Sequence, residues 1–124
     1  MSSRPQFNPY PVISNGNMSG NLTSKVTVIQ KLSLISYAIS WAGTSPVGLM
    51  VVEVSNDFAQ ASDGSVQVPG TWTALPLSSP PSVVNNSDNG FIDIDANAGY
   101  ALRIRYVRTS GTGTINVIIS AKVA

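Results

Sequence analysis

The chain has no cysteine and no histidine among its 124 residues. Lacking cysteine, it has no disulfide scaffold, no thiolate metal site and no cysteine nucleophile. Lacking histidine, it also loses Ser–His and Cys–His catalysis, the common zinc sites and the histidine pH switch. Charge is scarce as well: Asp, Glu, Lys and Arg make up 10% of the chain and balance to a net +1, against about 25% charged residues in an average soluble domain. So neutral a surface gives little long-range pull toward nucleic acid or an anionic membrane, and little electrostatic protection against self-association. No nucleic-acid or membrane partner is therefore expected. No run approaches the ~20 apolar residues of a membrane span, and no apolar signal-peptide core follows Met1, so synthesis in the cytoplasm without export is the expectation. Helical periodicity is missing too: no window of about twelve residues shows a 3.6-residue apolar stripe.

What is present is period-two alternation. Between 100 and 108, Leu102, Ile104 and Tyr106 share one parity while Arg103, Arg105 and Val107 share the other, the mark of a half-buried strand. After Ser110-Gly111-Thr112-Gly113 the alternation resumes with Ile115, Val117, Ile119, Ala121 and Val123 on one face. Glycines able to take positive φ between two such runs predict a β-hairpin over residues 100–123, with Leu102, Ile104, Tyr106, Ile115, Val117 and Ile119 in the core.

Taken in order, residues 1–21 carry Pro5, Pro9 and Pro11 with several asparagines and read as an extended N-terminal arm. Its Phe7 and Tyr10 suit packing on the domain or on a neighbouring subunit. Residues 22–124 form the remaining unit. Leu22, Val26 and Val28 share the parity of a first strand. After a parity change near Gln30-Lys31, Ile35, Tyr37, Ile39 and Trp41 form the next apolar set. Residues 42–46 read as a turn, and a strand from 47 to 55 follows with both faces apolar: Met50, Val52 and Val54 on one side, Leu49 and Val51 on the other. A loop, the arm or another subunit would have to cover the second face. Further short strands near 65–68, 71–75 and 91–95 complete the pattern. The expected fold is all-β: a two-sheet antiparallel β-sandwich, jelly-roll-like, with the extended arm. One domain of this length buries about 65–70% of its unfolded surface, enough for one core.

Little chemistry is on offer. Asp93 and Asp95 share a strand face roughly 7 Å apart, a spacing open to glycosidase carboxylates, yet nothing in the sequence marks a raised-pKa environment. Asp88, Asn89, Asp93 and Asp95 could supply calcium oxygens, but the spacing is not that of the helical-loop calcium motif and these residues are ordinary turn formers. Arg103, Arg105 and Arg108 sit on or beside one strand and could meet a phosphate or carboxylate; without aromatics interleaved on that face, a solvated strand face or salt bridges to another subunit is the better reading. Trp41 follows core parity, whereas Trp72, between Pro69-Gly70 and Pro76, could rim a ligand site. No catalytic residue, cofactor or metal is expected.

The runs Ser36-Tyr37-Ala38-Ile39-Ser40-Trp41-Ala42-Gly43-Thr44, Ser45-Pro46-Val47-Gly48, Val52-Glu53-Val54-Ser55-Asn56-Asp57, Thr71-Trp72-Thr73 and residues 106–114 resemble small tailed-phage virion β-sandwich proteins, among them capsid decoration or cement proteins. The resemblance spans about residues 32–123. It implies a non-enzymatic virion protein, often trimeric, that binds the major capsid protein lattice and stabilises the shell. Its contacts would be drawn from Phe7, Tyr10, Leu49, Val51, Arg103, Arg105 and Arg108. The alternative is a glycan- or receptor-binding module of a tail fibre or spike, using Trp72.

Overall fold

A computed structural model describes residues 6–28, 34–63, 65–75, 82–95 and 101–122, and of residues 6–8, 34, 95, 121 and 122 only the backbone. The expectation of an all-β antiparallel chain holds for them. In chain order the strands are β1 (Gln6–Asn17), β2 (Leu22–Thr23), β3 (Thr27–Val28), β4 (Leu34–Ser55), β5 (Ala59–Gln60), β6 (Val66–Val68), β7 (Thr73–Ala74), β8 (Ser82–Val83), β9 (Ser87–Asp95) and β10 (Ala101–Lys122). Eight of them belong to one antiparallel sheet, and β5 pairs with β6 in a small second one.

The sheet is built on β4 and β10, each 22 residues long and paired from Ala101↔Ser55 to Lys122↔Leu34. This corrects the hairpin expected over residues 100–123: the segment is a single strand that does not reverse at Ser110–Gly113. The turn expected at residues 42–46 likewise lies inside β4. A straight strand of that length would run about 70 Å, twice the ~35 Å diameter expected of a compact chain this size, so the pair has to bend.

The bend is written in the register. Between Gly48↔Arg108 and Val47↔Ser110, β10 advances two residues for one on β4; between Val47↔Ser110 and Thr44↔Thr112, β4 advances three for two on β10. Each strand thus carries one extra residue, a pair of offset β-bulges, with Ser45 at φ 47° and Gly111 at φ 83°. Both strands change parity there while their pairing stays in step. The buried set passes from Met50, Val52, Leu102, Ile104 and Tyr106 to Ile35, Tyr37, Ile39, Trp41, Ile115, Val117 and Ile119. The same sheet face therefore stays apolar on both sides of the bend.

Each half of the long pair gathers its own neighbours. In the first half, β1 flanks residues 114–122 of β10 and β9 flanks residues 34–42 of β4. In the second, β2 and β3 flank β10 while β7 and β8 flank β4. Residues 6–17 of the expected arm thus form a strand of the same sheet. Pro9 and Pro11 cannot donate to a ladder, which suits β1 to an edge. Its register shifts at these positions let both Val12 and Ile13 face the core. The inward side chains of the two halves form one buried cluster. Two bonds tie the halves together: the hydroxyls of Tyr10 and Thr27 lie 3.0 Å apart, and Lys25 N–H donates to Val12 O.

Between residues 22 and 28 the expected parity fails. Ser24 and Thr27 are the buried residues there, while Leu22, Val26 and Val28 are half-buried. Ser24 explains this: its N–H donates to Ile104 O and its hydroxyl accepts from Ile104 N–H, so a side chain stands in for part of the ladder between β2 and β3.

Inside the cluster, the Tyr37 hydroxyl is buried and has no hydrogen-bond partner among the described residues, whereas that of Tyr106 donates to Val47 O. Burial, with a smaller contribution from Tyr10, pushes the Tyr37 pKa above its ordinary value of 10.0. Tyr37→Phe should therefore leave stability at pH 7 unchanged or raise it by up to about 1 kcal/mol, because the variant no longer buries an unsatisfied hydroxyl. The raised folded-state pKa means that the Tyr37 contribution is complete below pH 10 and is lost as pH climbs from there through the folded value. Urea denaturation at pH 7 and pH 11 should show the wild type losing more stability between the two than the Phe variant, in which Tyr106, whose pKa burial also raises, still contributes. A variant clearly less stable at pH 7 would mean that the hydroxyl is satisfied.

Candidate functional site

Because Leu102, Ile104 and Tyr106 face inward, Arg103, Arg105 and Val107 face outward, opposite Glu53, Val51 and Leu49 in turn. Glu53 accepts from Arg103 Nε at 2.7 Å through one carboxylate oxygen and from Arg105 Nη1 at 3.4 Å through the other. The Arg103 guanidinium also lies 4.3 Å from the centre of the Trp72 ring, a cation–π stack. Trp72 donates its indole N–H to Pro69 O and packs tilted against Phe58, centroids 6.0 Å apart.

The loop carrying these aromatics is organised by Asp57, which accepts from Thr71 N–H at 2.6 Å and from the Ser55 hydroxyl at 2.8 Å. The Thr71 bond first, then the Ser55 bond, hold the Asp57 carboxyl below its ordinary pKa. Of the three coverings left open for the second face of the 47–55 strand, a loop accounts for one end: Phe58 and Trp72 pack together beside the Glu53–Arg103 pair. Leu49, 47% exposed, and its half-buried neighbours Val51 and Val107 are left uncovered at the other.

The three arginines do not converge. Arg103 is committed to Glu53 and Trp72. Arg108 donates through Nε to Gly111 O at 2.9 Å, bracing the bulge, while its own N–H is taken by Asn21 Oδ1. Arg105 has a single long bond to Glu53 and a third of its side chain exposed, making it the cation best placed to meet a partner, beside Leu49, Val51 and Val107. Tyr10 is half-buried, packs against the core and meets Thr27. The Phe7 backbone pairs with Ala121, and its side chain lies outside the described residues. Asp93 is exposed in β9 opposite Ser36, whereas the Asp95 side chain is outside the described set. Among the described residues no three His, Cys, Asp or Glu side chains come together to hold a metal, and no helix is long and apolar enough to cross a membrane.

The sequence reading missed a second surface. On the outer face of the first half, Phe91, Ala38, Ile118 and Pro11 lie side by side across β9, β4, β10 and β1. Phe91 is 62% exposed and Ile118 43%. The signal was in the alternation: Phe91 shares parity with Asp93, and Ile118 with Asn116 and Ser120, so each is a large apolar residue on a polar face.

No protein-family model and no curated protein matches this sequence. Among solved structures, the fold resembles the crystal structure of SPBc2 prophage-derived protein YomS, with a TM-score of 0.51 at 10% identity, over 97% of this chain and 96% of that one. At that identity the likeness concerns the arrangement of strands alone.

Proposed function

We propose that this chain is a non-enzymatic phage structural protein, a capsid decoration or cement protein that binds the major capsid protein lattice and stabilises the shell as part of the virion. The observation that carries the reading is the partly exposed face formed by Leu49, Val51, Val107 and Arg105: mixed apolar and cationic, and mounted on the two longest strands. Such a face suits a broad, repeated contact better than turnover, since a lattice multiplies modest interfaces of ~1,200–2,000 Å² by symmetry. The prophage origin of a protein with a similar strand arrangement agrees with this reading, as does the phage-type strand and turn pattern of the sequence. The resemblance favours a trimer, assembled where subunits sit over junctions of the capsid lattice. The fold part of the proposal is that the two halves of the bent sheet serve as the layers of a jelly-roll-like sandwich, tied by Tyr10 and Thr27. A glycan- or receptor-binding module of a tail fibre or spike would use Trp72 as its platform, and one face of that ring already stacks on Arg103.

The test is add-back to particles that lack the protein. Wild type should co-sediment with them, and Arg105→Glu and Leu49→Asp should each weaken binding at least tenfold; Leu49→Asp should do so with an unchanged melting temperature because that side chain is solvent-facing, whereas Arg105→Glu should also lower it modestly by facing the Glu53 carboxylate. Wild type that stays in the supernatant, or variants that bind as well as it does, would remove the proposal.

A further inference from the structure

We infer that the row Phe91, Ala38, Ile118 and Pro11 is a self-association surface, on which a second copy of this chain packs face to face about a two-fold axis. This goes beyond the virion reading and uses the opposite half of the sheet from the Arg105 face.

The row spans the whole width of that half, one residue from each of its four strands. Polar rows bound it on either side: Ser36, Asp93 and Ser120 on one, Ser40, Asn89 and Asn116 on the other. A contiguous apolar strip with a polar rim is the anatomy of a protein contact. Its charge selects the partner. Asp93 carries the only charge among the described side chains of these three rows, so nucleic acid and anionic lipid find no cation there. A strongly charged protein finds no counterpart either. A second copy, itself nearly neutral at +1, matches.

Relief points the same way. Ala38 is a small residue between Phe91 and Ile118, leaving a shallow trough of about 550 Å³ lined by these three with Ser40, Asn89 and Asn116. A two-fold running along the strands between β4 and β10 reverses the order of the row in the second copy. Ile118 of each copy then lies over Ala38 of the other, and Phe91 over Pro11, so every large side chain meets a small one, with the sheets ~10 Å apart. Such an isologous contact needs one patch only, whereas a three-fold ring needs two different patches. Size is also sufficient: four strands at ~4.8 Å and nine residues at ~3.3 Å give roughly 570 Å² per copy, or about 1,100 Å² in all, the lower end for a specific interface. An interface of that size belongs with weak, reversible association, so the dimer is sought at micromolar concentrations.

Sedimentation velocity of the full chain from about 1 to 500 μM should show a monomer–dimer equilibrium. Phe91→Ser should weaken it at least tenfold without changing the melting temperature. Ala38→Lys and Ile118→Asp should each weaken homodimerisation to the same degree, and mixing those two variants should restore a dimer, because the axis sets Lys over Asp. Wild type that remains monomeric throughout, a trimer indifferent to these substitutions, or a mixture that fails to dimerise would each overturn the inference. The same variants added to particles keep the two readings separable: Phe91→Ser should bind through the Arg105 face, and Arg105→Glu should still dimerise.

Discussion

Gly111→Ala is expected to lower stability by about 3 kcal/mol, the largest single-residue effect outside the apolar core. Gly111 sits at φ 83°, and a Cβ there would collide with the Ser45 carbonyl and come within 2.6 Å of Pro46 Cα. The left-handed backbone alone costs an alanine roughly 1–2 kcal/mol. The collision adds more, since Ser45 belongs to the matching bulge on β4 and neither strand can yield without the other. The chain cannot relieve the strain by sliding: a one-residue slip would turn Ile115, Val117 and Ile119 out of the core, which is worth about 2 kcal/mol for each such side chain. The strain is therefore retained, and urea titration should show an earlier midpoint with the slope unchanged. Gly20→Ala is the control, because nothing lies within 4 Å of its added carbon; it should stay within about 0.5 kcal/mol of wild type. A loss below about 1 kcal/mol for Gly111→Ala would mean that the paired bulges do not hold the bend.

That glycine also shows where sequence reasoning stops. Alternation identified the inward residues correctly on both sides of it: Leu102, Ile104, Tyr106, Ile115, Val117 and Ile119 are all fully buried, and Trp41 is buried with Ile35, Tyr37 and Ile39. Alternation also registers the parity change at Gly111, and on local pattern alone that change predicts a hairpin. A hairpin turn and a bulge use the same local signals, glycine at positive φ among small polar residues. What separates them is whether the strand beside them bulges in compensation, and that partner, near Ser45, lies more than sixty residues away. Local pattern carries no such information. The misreading halved the length of the chain's two principal strands while leaving the core side chains just named correctly oriented.

The candidate site divides in the same way. The outward parity of Arg103 and Arg105 was legible, and so was the apolar character of Leu49 and Val51. That Glu53 stands opposite Arg103 depends on strand register, and that Trp72 stacks on it depends on how residues 56–72 fold back over the sheet. Neither has a short-range signature. Three arginines that looked equivalent in sequence are therefore distinct in the structure: one neutralised, one bracing a bulge and one facing outward. The Phe91 and Ile118 row was legible in principle, as apolar residues of outward parity. Its continuity across four strands emerges only from pairings between segments far apart in the chain.

Glu53→Ala should cost about 2 kcal/mol and loosen the loop over residues 56–72 before anything else opens. Glu53 is 8% exposed, so removing its carboxylate leaves Arg103 held under the Trp72 ring with its counter-ion gone. Breaking a fully buried pair costs about 3–5 kcal/mol. Arg103 and Arg105 keep 25% and 33% of their side-chain surface in water, which screens the orphaned charges and brings the figure down. The stack on Trp72 has two parts, the cation–π attraction and the packing of Trp72 and Phe58 beside the Glu53–Arg103 pair. With its carboxylate gone, Arg103 gains by swinging into solvent, and Trp72 loses the surface it packs on. Limited proteolysis should then find new cuts within residues 56–72 while β4 and β10 stay protected, since local opening follows the weakest-packed segment. Arg103→Met isolates the electrostatic part: combined with Glu53→Ala, it should cost less than the two single changes added together, because the charge under the indole goes with its counter-ion, leaving only the more exposed Arg105 unpaired, and the Met side chain still packs under the indole. Strict additivity in that cycle, or a Glu53→Ala protein within about 0.5 kcal/mol of wild type, would show that the ion pair is incidental and that the aromatic pair alone anchors the loop.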